Sequence, residues 1–547
     1  MIEFNLATVF KTVAAAVPEQ EALIWRDRRL TYAAMDARID GIAHYLAGQG
    51  LGRHTSRADL AGHEIGQDTV GLYLRNGNEY PEAMIAAYRA GAVAFNINYS
   101  YVEEELTYLL NDAGASALVF GSEFAPRVAA LLDQVPTIRV LIQVDDGSGN
   151  DLLPGAVAYE AIVATPTPAT PLLEPLGEDA FLLYTGGTTG MPKGVIWRQH
   201  DVYVAAMGGR PFGSPDPFTS YEEIAEAARN GNGGIRLLMT APFMHGAAQW
   251  STFHMFTGGG RVVLPENVVS MDAVDWLRTT EREGVMSIPV VGDAMARPLI
   301  DEIERGDYDL SGLAAINNGG APITPGVRHR LHEALPNILI LDAVGSSETG
   351  IQMNHYSAAG AEAETAVFNP EPDTEVVDDE RAHVLQPGDG GGWLARRGLV
   401  PLGYLGDAAK TAQTFPVING IRYSVPGDRA ELLDDGRIRL LGRDSVTINS
   451  GGEKIFAEEV ERAIAAHPDI ADVIVAGRPS ERWGSEVVAI VAVRPGTEPS
   501  DADLLDEAGK HVARYKLPKA IIRRPSIARS PSGKADYRWA KQQATDA

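Results

Sequence analysis

The chain contains no cysteine. That excludes disulfides, cysteine-ligated zinc, iron–sulfur clusters and any thioester held on a protein cysteine. No run of about 18–20 apolar residues occurs, so nothing in it reads as a membrane span. The opening stretch, "MIEFNLATVFKTVAAAVPEQEAL", lacks the basic start and apolar core of a secretory signal. Positive charge is also scarce: 47 Lys and Arg stand against 73 Asp and Glu, a net charge of -26. Duplex nucleic acid and anionic membranes both attract basic surface, so neither is an expected partner. These absences point to a cytoplasmic enzyme that meets any anionic substrate with local basic groups.

What is present fits a large α/β enzyme. The 547 residues exceed the roughly 250–300 that one hydrophobic core serves. Short β-branched runs alternate with helical patterns. "DTVGLYLRN" (68–76) reads as a strand, "EYPEAMIAAYRAGA" (79–92) as a helix and "VAFNI" (93–97) as a strand. "ALVF", "RVLIQV", "FLLYT", "RVVLP", "VMSIPV" and "NILILDAVG" continue the series, which predicts buried parallel strands. "ATPTPATPLLEP" (164–175) reads as a stiff connector, "NPEPDTEVVDDE" (369–380) as a solvated acidic loop and "GDGGG" (388–392) as a turn. Near Leu441 the texture changes to a polar Gly-rich turn, a helix from about Ala457 and strands near 472–476 and 486–493. The expected division is a large domain over 1–442 and a small α+β domain over 443–547, hinged near 443–446.

The most informative stretch is "LLYTGGTTGMPKGV" (182–195). Its glycines let backbone N–H groups surround an anion, its threonines add hydroxyl donors and Lys193 adds a mobile charge. It is neither a Walker A loop nor a dinucleotide fingerprint, because the glycine and lysine spacings fail. "YTGGTTGMPKG" resembles the signature loop of the adenylate-forming superfamily, which comprises acyl-CoA synthetases, peptide adenylation domains and beetle luciferase. Four further stretches resemble that family's landmarks, in order. They are "NNGGAP" (317–322), "VGSSETG" (344–350), the ribose-side pair "GYLGDAAKT" and "PGDRAELLDDGRIRLLGR", and the lysine loop "SPSGKADYRWAK" (530–541).

The resemblance implies a large N-terminal domain of sandwiched α/β sub-lobes, a mobile lid, and adenylation of a carboxylate followed by transfer to a thiol. ATP, Mg²⁺ and CoA are the implied cofactors. Thr185, Gly186, Gly187, Thr188, Thr189 and Lys193 would hold the terminal phosphates. Gly319, Gly320 and Ala321 would lie along adenine, and Ser346 and Ser347 beside the α-phosphate. Glu348, with Thr188, would hold Mg²⁺. Asp428 would accept from the ribose hydroxyls, with Arg443 beside it. Lys534 would be the catalytic lysine and His245 the residue at the mouth of the acyl pocket. Gly451 and Gly452 would let the thiol arm of CoA pass, and Ser445 falls at the pivot. Three positions depart from the pattern. Gly186 stands for a usual Ser, Pro426 for a usual Thr, and Val344 for the aromatic that stacks on adenine.

"APFMHGAAQWSTFHMFTGGG" (241–260) is the expected acyl wall, with Gly246, Ala247 and Ala248 leaving room and Met244, Trp250 and Phe253 adding apolar area. "VVGDAMARPL" (290–299), with Gly292, is a second candidate wall. No carboxylate stands where an amino-acid substrate's amine would bind, so a plain apolar acid is expected. "NSGGEKIFAEEVE" and "SGKADYRWAK" are most similar to actinobacterial acyl-CoA synthetases of fatty-acid and steroid side-chain breakdown. Thirteen residues follow Lys534, so free CoA is the expected acceptor. The alternatives are a ligase loading a separate carrier protein and a non-catalytic nucleotide-binding homologue. The sequence leaves a homodimer open.

Overall fold

The computed structural model describes residues 2–546 apart from 169–170, 186–190, 212, 232, 361–365, 451–452, 481–483 and 530–532. Two sheets build most of the large domain. Thr69–Tyr73, Val93–Asn96, Ala115–Gly121, Val140–Val144 and Ala156–Ala158 form a five-stranded, all-parallel sheet. Thr69–Tyr73 and Ala115–Gly121 are buried along their whole length, as a sheet covered on both faces requires. Glu79–Arg89 is the crossover helix between the first two strands, where the helical spacing of 79–92 predicts it.

The second sheet has 15 strands among the described residues. One half is parallel and includes Arg261–Val263, Arg236–Leu238, Ser287–Val290, Ala315–Gly319 and Leu339–Ser346. At Leu339–Ser346 the chain turns back on itself into Gly350–Ser357, and the sheet becomes antiparallel through to Asp428–Leu432 and Ile438–Arg443. The main core lies between the two sheets, where Trp197, Tyr32, Tyr80 and Phe253 are enclosed.

Two sequence expectations change. The run "FLLYT" is not a parallel strand. Ala180–Thr185 pairs antiparallel with Lys193–Arg198, because the seven residues 186–192 are too few for a parallel crossover of a dozen or more. The acidic run 369–380 is not wholly a loop. Thr374–Val377 pairs with Gly391–Arg397, and Val376 and Val377 are buried despite their charged neighbours. "GDGGG" is a turn only in its first part, with Gly388 at φ +90 and Gly390 at φ +94, while Gly391 and Gly392 begin the strand Gly391–Arg397.

The small domain has its own core. Ala457–Ala465 packs on Ile470–Ser480 and Gly484–Val493, which pair antiparallel, with Ala520–Arg523 alongside. Val460, Ile464, Val475, Val487, Val491 and Leu504 fill the space between them. The chain enters this domain through Gly442, at φ +139, and a short 3-10 turn over Asp444–Val446.

Candidate active site

Thr185 is the last residue of its strand and lies directly across from Lys193. The loop between them is therefore a hairpin connection, bounded by a hydroxyl on one side and an ammonium on the other. Gly186, Gly187, Thr188 and Thr189 lie outside the described residues, as do Gly451 and Gly452. Lys193 Nζ sits 3.4 Å from an Asp407 carboxylate oxygen and 5.7 Å over the Tyr404 ring.

The Glu348 loop is held from several directions. It is the tight turn between Leu339–Ser346 and Gly350–Ser357, and the Ser346 and Thr349 hydroxyls hydrogen-bond across it at 3.0 Å. Gly345 is required there: a Cβ would come within 2.2 Å of the Gly350 carbonyl. Trp197 Nε1 donates to the Ser347 carbonyl at 2.8 Å, and Ser424 Oγ donates to the Glu348 carbonyl at 2.6 Å. The buried Arg396 guanidinium donates to the carbonyls of Thr349, at 3.0 Å, and Ile351. Burial lowers the Arg396 pKa to about 10. Tyr404 completes the set by donating its hydroxyl to Glu348 Oε1 at 2.9 Å. The sequence reading missed Trp197, Arg396, Tyr404 and Ser424 as members of the site. Each lies on a strand where ordinary core or surface roles suffice to explain it.

At the corner expected to flank adenine, Ala315–Gly319 ends in Gly319, followed by Gly320 at φ +80 and Ala321. Asn318 fixes this corner, donating to the Ala321 carbonyl at 3.0 Å and to Asp342 at 2.8 Å. Val344 packs against the small cluster of Met353, Val376 and Leu394, which suits an aliphatic side chain. The pair expected at the ribose, Asp428 and Arg443, are register partners, and Arg443 Nε sits 3.2 Å from Asp428 Oδ1. The Arg443 backbone N–H donates to Glu458 Oε2 at 2.8 Å, so the helix of the small domain touches the strand that carries Arg443.

Lys534 comes to this cluster from the small domain. Gly533, at φ +78, seats against Val291 and Ala294 of the large domain, 3.3–3.5 Å from where a Cβ would stand. Arg529 braces the loop by donating to the Gly533 carbonyl at 3.2 Å while pairing with Asp472. The Lys534 Cε lies 3.6 Å from the position a Gly320 Cβ would occupy. The Lys534 residue is exposed. Even so, desolvation by the protein around it, and then the Arg443 charge, lower its pKa, while Glu348 and Asp428 oppose the fall.

His245 precedes the helix Gly246–Thr257. Its Nε2 is buried without a hydrogen-bond partner among the described residues. Burial, then the Lys534 charge, lowers its pKa to about 4, so the ring is neutral at ordinary pH. Lys534, Glu348, Asp428, Arg443 and His245 thus share one electrostatic neighbourhood drawn from both domains. The expected acyl wall is mixed. Ala248, Trp250 and Phe253 are core residues, Ala247 is exposed, and Gly246 lets the helix approach Leu183. Gly292, at φ +55, begins the helix Gly292–Ile303 beside Ala321 and Pro322.

Residues 10–405 match the AMP-binding enzyme family, and residues 459–534 match the AMP-binding enzyme C-terminal domain. The chain is 56% identical over 544 residues to the medium-chain acyl-CoA ligase Mig of Mycobacterium avium, covering 99% of this chain and 98% of that one. It is 38% identical over 553 residues to a 3-oxocholest-4-en-26-oate–CoA ligase of Rhodococcus rhodochrous, covering 98% and 96%. Among solved structures it is similar to the anthranilate CoA ligase AuaEII in complex with anthranoyl-AMP, with TM-score 0.81, 21% identity and coverage of 100% and 98%. ATP-bound MatB from Rhodopseudomonas palustris gives TM-score 0.81 at 21% identity, with 99% of each chain covered. These two share the fold. Matched in both domains and along its whole length, the chain belongs to the AMP-binding enzyme family, within its acyl-CoA ligases.

Proposed function

We propose that this enzyme activates an apolar carboxylic acid, a medium- or long-chain fatty acid or a steroid side-chain carboxylate, as its CoA thioester. In the first step a carboxylate oxygen attacks the α-phosphorus of ATP, the bond to the β-phosphate oxygen breaks, and acyl-AMP and pyrophosphate form. In the second, the CoA sulfur attacks the acyl carbon, losing its proton, and AMP leaves. A carboxylate cannot expel oxide, so the first step supplies the leaving group.

The observation that carries this reading is the convergence of Lys534 with Glu348, Asp428, Arg443 and His245. In the first step Lys534 Nζ balances the charge that builds between carboxylate and α-phosphate. Asp428 accepts the ribose hydroxyls and Arg443 steadies it. Thr185 and Lys193 hold the β/γ-phosphates with Gly186, Gly187, Thr188 and Thr189, and Ser346 and Ser347 stand near the α-phosphate. Gly319, Gly320 and Ala321 flank adenine. His245, neutral, closes the carboxylate end of the acyl site without repelling Lys534.

Glu348 suits Mg²⁺. It is a hard oxygen donor in a fixed loop, and a single carboxylate is the usual protein contribution when phosphate oxygens and water complete the shell. Thr188 is the second candidate ligand. When bound, the ion would neutralise the polyphosphate. We place the domain division at 443, with residues 443–547 as a lid that swings about 443–446 to bring Gly451 and Gly452 to the CoA arm. Its ATP and CoA requirement supports action in the cytoplasm.

The test is incubation with ATP, Mg²⁺, CoA and a panel of straight-chain and steroid acids, with products read by mass spectrometry. Acyl-CoA from a medium- or long-chain fatty acid or from a sterol acid is the expected result. Accumulation of acyl-AMP with no acyl-CoA from any acid would reject CoA as the acceptor in favour of a carrier protein.

A further inference from the structure

The two halves of the first step come from different parts of the large domain. The phosphate loop leaves the strand Ala180–Thr185, and His245 lies on the loop that enters the helix Gly246–Thr257. Attack at phosphorus demands that these two stay in one register. A single buried side chain ties them.

Asn96 ends the strand Val93–Asn96 and is 5% exposed. Its Nδ2 donates to the Tyr184 carbonyl at 2.8 Å and to the Met244 carbonyl at 2.7 Å. Its Oδ1 accepts from the Tyr184 N–H at 2.7 Å. Tyr184 immediately precedes Thr185, and Met244 immediately precedes His245. All three bonds go to backbone, so they fix chain position whatever the neighbouring side chains are.

The topology explains why an amide stands there. Ala180–Thr185 is the outer strand of its three-stranded sheet, and Val93–Asn96 is the outer strand of the five-stranded sheet. The Tyr184 N–H and carbonyl therefore have no strand hydrogen-bonded to them in a ladder on that side, although Val93–Asn96 lies close by. The Asn96 carboxamide offers one donor face and one acceptor face, as a peptide group would, and takes both. Its second N–H is left over for Met244. An aspartate would lack the donors, and a serine could not reach both sides.

We infer that Asn96 is a positioning residue for adenylation, holding Thr185, at the end of its strand, and His245 in a fixed spatial relation. The inference rests on the functional reading above. Asn96→Asp, which keeps shape and acceptor, is the first variant, and Asn96→Ser is a second in case the first folds poorly. Leu131→Ala, a buried core truncation in the same lobe, serves as a control for lost stability alone.

Single-turnover pyrophosphate release should fall by about 100-fold in Asn96→Asp, the cost of a misplacement near 1 Å. The KM values for ATP and for acid should each stay within about threefold, because either ligand alone needs only its own half of the site. Thioester formation from supplied acyl-AMP should stay near wild type. A loss confined to the KM for ATP, an equal loss in both half-reactions, or an equal loss in Leu131→Ala would overturn the inference. Hydrogen exchange gives a readout that does not depend on turnover. Exchange over 182–185 and over 241–246 should quicken together in Asn96→Asp, and quickening of one alone would refute the tie. If wild type turns over no acid while the paired exchange effect appears, the functional reading fails, and the tie through Asn96 stands without its role in adenylation.

Discussion

Glu348 and Lys534 carry opposite charges into the same cleft and are held in opposite ways. The Glu348 turn is fastened by Trp197, Ser424, Arg396 and Tyr404, all from its own domain. Lys534 arrives on a loop of the other domain, seated by the contact of Gly533 with Val291 and Ala294 and braced by Arg529. The first arrangement is preorganised, which suits the proposed role of Glu348 as a metal ligand needed whenever ATP is bound. The second suits the proposed role of Lys534, a charge needed in one step and then withdrawn. Preorganised donors lower a barrier because no reorganisation is left for the moment of reaction.

The contrast breaks most visibly at the lysine. Lys534→Ala should reduce adenylation by about 100- to 1,000-fold, the range for loss of one transition-state contact of this kind. Thioester formation from supplied acyl-AMP should survive, and equal damage to both half-reactions would contradict a withdrawn charge. A smaller effect should follow from loosening the fixed side. Arg396→Met frees two backbone carbonyls beside Glu348, and adenylation should drop by about 10-fold, through kcat more than KM. Stability should change little, because the variant also removes a buried cation that has no carboxylate in hydrogen-bond contact among the described residues. Kinetics beside a melting curve would separate the two, and a large fall in melting temperature with unchanged kcat would argue against a role at Glu348.

The smallest effect belongs to the lid. Burial, then the Glu458 charge, raises the Glu461 pKa from 4.5 to about 8. The folded lid keeps this proton between those two values while the unfolded chain releases it. Stability should therefore fall as pH rises from about 5 to 8, by about 1–2 kcal/mol after allowance for partial exposure. Glu461→Gln should flatten that slope and melt higher at pH 8. Melting temperature against pH checks it, and an unchanged slope would remove Glu461 as its source.

The architecture was largely legible because buried parallel strands and their crossover helices leave long apolar runs, as 69–97 does. The exceptions are instructive. Ala180–Thr185 carries the same apolar run as a parallel strand, and only the shortness of the connection to Lys193 betrays its direction. Val376 and Val377 are buried, but the acidic residues around them mask a two-residue signal. At the site, Glu348, Asp428, Arg443 and Lys534 could be named because adjacent residues form recognisable patterns. Tyr404 could not, because its partner, the Glu348 carboxylate, lies 56 residues away in the chain. Nor could Trp197, Arg396 and Ser424, since their common target is a set of carbonyl oxygens, which leave no mark on a sequence. Asn96 escaped for the same reason.

The antiparallel pairing of Thr185 with Lys193 turns the intervening loop into a length gauge. Side chains alternate sides along a strand. Inserting or deleting one residue between 186 and 192 would have to be absorbed by a bulge or by slipping the pairing. A slip of one place would carry the Lys193 ammonium through the sheet to its opposite face. The count of residues in this connection is thus fixed by the strand pairing in a way that the identity of its side chains is not.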